Sequence, residues 1–69
     1  MEELSRRRAR RIEQELETRR ERLARSERLS IEGAPRARFA YAAAATKQRA
    51  AIARLEQELY RLEMRRLSS

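Results

Sequence analysis

Cysteine, histidine and aspartate are all missing from these 69 residues, and each absence closes a line of chemistry. Without Cys there is no disulfide, and without Cys or His there is no zinc site of the usual kind. The familiar sets of nucleophile, base and orienting residue need members of the same three types. One Gly and one Pro leave no Gly-rich phosphate loop to be written into the chain. Paired carboxylates such as Glu13 and Glu17 fall beside Arg on a helix face, without the cleft that acid–base work requires, and Lys47 has no pocket around it. No catalytic residue, cofactor, metal or small-molecule substrate is expected.

Aromatic and long apolar stretches are scarce as well. Trp is absent, Phe occurs once and Tyr twice, which gives little energy for insertion into an anionic membrane surface. The longest apolar run, residues 39–45, is far below the roughly 20 residues of a membrane span. The first residues lack the apolar stretch of a secretory signal. Together with the absent cysteines, this makes the cytoplasm the expected location. Of the 28 hydrophobic residues 12 are Ala, which leaves 16 larger side chains for a core. A single copy of so short a chain is marginally stable, and a second subunit or permanent partner is expected to complete it.

What is present is helix-forming. Ala, Leu, Arg and Glu dominate, and Val is absent. Gly33 and Pro35 stand together, Gly suited to the left-handed residue past a helix end and Pro to the first turn of the next helix. The chain therefore reads as a single all-α unit over 1–69: a helix over about 2–30, a turn at 31–35, and a helix over about 35–67. Each helix would be roughly 40–50 Å long. Glu-first pairs at i,i+4 support the first helix, namely Glu2 with Arg6, Glu3 with Arg7, Glu15 with Arg19 and Glu21 with Arg25.

Apolar spacing sets the fold. Ser5, Ala9, Ile12, Leu16, Arg19, Leu23, Ser26 and Ser30 follow alternating steps of four and three, as do Tyr41, Ala45, Gln48, Ile52, Leu55, Leu59 and Leu62. Folding at Gly33 sets residue i opposite roughly residue 67 − i, so Leu16 meets Ile52 and Arg19 meets Gln48. A polar pair inside an apolar seam commonly fixes register. An antiparallel two-helix hairpin, a coiled coil by its spacing, is the expected fold. The second helix carries a further seam on nearly its opposite side: Phe39, Ala43, Thr46, Ala50, Ala53, Gln57, Tyr60 and Met64. A helix apolar on both sides is usually central in an assembly, so pairing into a helical bundle is expected, with Phe39, Ala43, Thr46, Ala50, Ala53, Tyr60 and Met64 as the partner interface.

Charge is unevenly placed. Arg outnumbers Lys 17 to 1, and the net charge is +7. Residues 1–18 and 55–69 are each neutral, so the whole excess lies in residues 19–54, and residues 33–55 hold no acid. Arg36, Lys47, Arg54, Arg61 and Arg65 form a row along the second helix. A basic row on a rigid rod can follow a phosphate backbone, although a solvated face is the commoner reason for a charge run. Two functions of different class follow. One is a self-associating protein that binds RNA or DNA backbone, with low sequence specificity, through Arg25, Arg28, Arg36, Arg38, Lys47, Arg49 and Arg54. The other is an adaptor, regulator or inhibitor that docks the second helix onto an acidic or helical protein partner, anchored by Phe39, Tyr60 and Met64.

Overall fold

The computed structural model describes residues 2–68, and of Glu2 only the backbone. It contains two helices, α1 over Glu2–Glu32 and α2 over Pro35–Ser68, with no strand among the described residues. They lie side by side as a rod of 52 × 15 × 11 Å. Interhelical contacts run antiparallel: Arg8 reaches Glu58, Arg19 reaches Gln48 and Arg49 reaches Glu27. Every described member of both inner seams is buried or half-buried. Ile12, Leu16 and Ile52 form the buried cluster, with Leu23, Leu55, Leu59 and Leu62 packed against it. Ala45, also buried, continues the seam towards the turn. Burial of this stripe is what holds the two helices together, since apolar area removed from water is the main favourable term in folding. Among the described residues no helix is long and apolar enough to cross a membrane.

The turn is tighter than its sequence implies, because α1 runs on to Glu32 and leaves only Gly33 and Ala34 between the helices. The Ala34 carbonyl accepts from the N–H groups of Ala37 at 2.8 Å and Arg38 at 3.1 Å. It thereby opens α2 with Pro35 as the first helical residue, where a missing N–H costs nothing. The expected left-handed glycine is not there, since Gly33 has no positive φ. Space is the reason for glycine instead. Its N–H donates to the Leu29 carbonyl at 2.8 Å. A Cβ at this position would lie 2.4 Å from the same Leu29 oxygen and 3.5 Å from Tyr41 Cδ2.

Local ion pairs follow the sequence in part. Arg7 lies 3.6 Å from Glu3, and Arg19 lies 3.6 Å from Glu15. Glu21 and Arg25 form no pair among the described residues, as exposed pairs gain too little to hold two flexible side chains together. The pair of Glu2 with Arg6 lies outside the described residues.

Candidate functional site

Two helices packed on one seam leave a crevice along each side, and the charges flanking the seam decide what each crevice holds. On one side the chain pairs its charges internally. Arg49 reaches Glu27 at 3.4 Å and Arg20 reaches Glu56 at 3.7 Å, so cations and carboxylates alternate across the gap. On the other side the balance is different. Arg54, Arg61 and Arg65 recur at steps of seven and four, which the 100° turn per residue keeps within a narrow arc. The antiparallel register brings Arg8 of α1 against the same stretch.

Together these four arginines line an open hollow of about 420 Å³, with Gln57, Glu58 and Leu62 as its other walls. A second hollow of about 510 Å³ shares Arg8 and Glu58 with the first and adds Arg7 and Arg11. The two adjoin at the bridge between Arg8 and Glu58, and six arginines line this furrow at the open end of the hairpin. Its acids are Glu15 and Glu58, and both are engaged. Glu58 Oε1 accepts from Arg8 Nε at 3.1 Å and Nη2 at 2.7 Å, while Glu15 lies 3.6 Å from Arg19. The side chains of Arg54, Arg61 and Arg65 make no hydrogen bond or ion pair among the described residues. Three guanidinium forks in one furrow with their donors unspent are suited to phosphate or carboxylate oxygens.

The seven cations singled out in the sequence are all exposed, but they do not form one patch. Arg54 belongs to the furrow. Arg36 and Lys47 continue its row along α2 towards the turn. Arg38 donates from Nε to the Gly33 carbonyl at 2.9 Å, tying itself to the turn. Arg49 is spent on Glu27 across the opposite crevice. Arg25 and Arg28 lie on α1 nearer the turn and line neither hollow of the furrow. Sequence reasoning left out Arg7, Arg8 and Arg11, since residues 1–18 sum to zero charge. Neutrality along a segment is not neutrality on a face, and the register i to 67 − i, which sets Arg8 beside residue 59, is the signal that finds Arg8.

The outer seam of α2 is exposed at every position. Phe39 is 85% exposed, Tyr60 61% and Met64 43%, and a shallow hollow of about 600 Å³ lies beside Ala53 and Tyr60. Ala51, which sequence spacing leaves off both seams, is half-buried at the edge of the inner one. No protein-family model, curated protein or solved structure matches this chain, so the reading of the site rests on its geometry.

Proposed function

We propose that this chain is a non-catalytic helical hairpin that self-associates along the outer face of α2, as a coiled coil, and binds the phosphate backbone of nucleic acid through its arginine row. The observation that carries the reading is the set of unpaired guanidinium groups of Arg54, Arg61 and Arg65 in one furrow, where both carboxylates are already engaged. Such a site gains from an external anion without breaking an internal pair. Charge at the turn supports it too. The first turn of α2 holds no acid and the last turn of α1 no base, the reverse of what the helix dipoles favour. Anionic ligand near Arg36 relieves that imbalance. With no helix-turn-helix, basic-zipper or aromatic-sheet pattern in the sequence to read base edges, binding is to backbone and nearly independent of sequence.

The test is affinity for generic duplex DNA and single-stranded RNA as a function of salt. Backbone binding predicts a steep linear fall of log affinity against log salt concentration. Undetectable binding at low salt defeats the reading. A second reading, an adaptor docking α2 onto a protein, is favoured by the near-complete exposure of Phe39. It predicts that Phe39→Ala is more damaging to partner binding than any Arg change.

A further inference from the structure

The outer seam of α2 is complementary to itself when read backwards. Setting residue i against residue 103 − i of a second copy uses all eight seam positions, and each large or polar side chain meets one that suits it. Phe39 falls opposite the partner's Met64, a ring against a thioether. Ala43 falls opposite the partner's Tyr60, where a small side chain leaves room for a ring. Thr46 falls opposite the partner's Gln57. The Thr46 hydroxyl already donates to the Ala42 carbonyl at 3.1 Å, so its oxygen remains an acceptor for the Gln57 amide. At the centre Ala50 meets the partner's Ala53 on both sides of the two-fold axis, which lets the helix axes approach closely.

The flanks divide in charge. In an antiparallel pair each helix meets the same flank of its neighbour, so on one side Arg49 lies beside the partner's Glu56, both more than half exposed and already bonded within their own copy to Glu27 and Arg20. On the other side Lys47 lies beside the partner's Arg54, so the fit of large to small side chains along the seam, not the flanking charge, selects the antiparallel order. A parallel pair sets Phe39 on Phe39, Ala43 on Ala43 and Tyr60 on Tyr60, large on large and small on small. It also stacks the two positive turn halves together. Shifting the antiparallel register by one heptad strands either Phe39 or Tyr60 and Met64 beyond the contact.

We infer that the chain forms a two-fold symmetric antiparallel dimer through α2, centred between Ala50 and Ala53, with the second copy as the occupant of that face. The inference rests on the self-association proposed above and fixes its geometry. Because the outer seam lies nearly opposite the inner one, the four helices run side by side as a plank in the order α1, α2, α2, α1. The two-fold axis stands normal to the plank, so both arginine furrows open on one broad side. Lys47, Arg54 and Arg61 of each copy form a shared ridge between them. The other broad side carries the Arg49 and Glu56 pairs and is balanced.

The chain has no Cys, so a spin label on Glu63→Cys is unique. Glu63 is exposed and unpaired among the described residues. Position 63 lies level with the partner's residue 40, 23 residues away along α2, and the label-to-label distance is expected near ~35 Å at 1.5 Å per residue. Ala50→Glu should abolish the dimer by burying a carboxylate at the axis, and Ala40→Glu, exposed off both seams, should leave it intact. A dimer with labels within ~20 Å, the separation of a parallel pair whose axes lie 8–10 Å apart, overturns the antiparallel geometry while leaving self-association standing. A monomer at all concentrations overturns both, and salt-dependent nucleic-acid binding then decides the phosphate reading by itself.

Discussion

Arg19 Nη1 donates to Gln48 Oε1 at 3.2 Å across the middle of an otherwise apolar seam. Both side chains are half-buried, and Arg19 is steadied further by Glu15 at 3.6 Å. A charged group held partly out of water recovers its lost hydration only through such partners. The pair therefore selects the register at the expense of stability. Replacing both together, as Arg19→Leu with Gln48→Leu, should raise the free energy of unfolding by about 1 kcal/mol or more. Gln48→Leu alone should lower it, because the guanidinium loses its acceptor. Urea unfolding followed by circular dichroism measures both. A double variant less stable than the parent contradicts the assignment.

The seam itself makes a plainer prediction. Ile12, Leu16 and Ile52 are the buried cluster, and a rod with so few buried side chains has little in reserve. Ile52→Ala should cost about 2–5 kcal/mol, enough to lose most of the helical signal at room temperature. Glu13→Ala, exposed and unpaired among the described residues, should stay within about 0.5 kcal/mol. Equal effects at the two positions would mean that the inner seam is not where the hairpin is held.

Gly33→Ala tests the turn. The added Cβ would meet the Leu29 carbonyl, a backbone atom that cannot swing aside. The expected loss is about 1–3 kcal/mol, the usual cost of overpacking. Thermal melts of the variant at matched concentration measure it, and an unchanged melt would show that the turn opens freely.

How much of this was legible from sequence divides along a physical line. The two helices and the inner seam follow from a period of 3.6 and a lone Gly with a lone Pro, because apolar spacing alone decides which face turns inward. Even the meeting of Arg19 with Gln48 follows from counting outward from the turn. The reason for Gly33 did not, since close approach to Leu29 depends on how α1 ends rather than on residue type. The furrow did not either. Placing Arg8 with Arg54, Arg61 and Arg65 requires knowing on which side of the seam each lies in both helices at once. The turn-proximal excess of positive charge, by contrast, is partly spent, with Arg38 and Arg49 tied to Gly33 and Glu27.

Self-association should appear in the melting behaviour. If a second copy covers Phe39, Tyr60 and Met64, the folded state is favoured by mass action and the melting temperature rises with concentration. Phe39→Ala should weaken that dependence, because an 85% exposed ring contributes to folding only by being covered in the assembly. A melting temperature that does not move with concentration, with monomer mass by sedimentation, removes the assembly and leaves the α2 face for a foreign partner.

The location of phosphate binding is decided by two triple variants. Arg54, Arg61 and Arg65 changed to Gln remove the unpaired cations of the furrow, while Arg25, Arg28 and Arg36 changed to Gln remove three cations of the turn half. Each triple lowers the net charge by the same amount, so a non-specific effect of total charge affects both alike. If the furrow engages backbone, the first triple should weaken binding to all sequences and flatten the salt slope by up to about 3 on duplex DNA, one counterion per lost contact. The second triple should flatten it less, because Arg25, Arg28 and Arg36 line neither hollow of the furrow. Fluorescence anisotropy titrations at several salt concentrations give both slopes. Equal flattening by the two triples would mean that net charge alone attracts nucleic acid and that the furrow has no special part. A larger effect from the turn triple would move the contact surface to the other end of the hairpin.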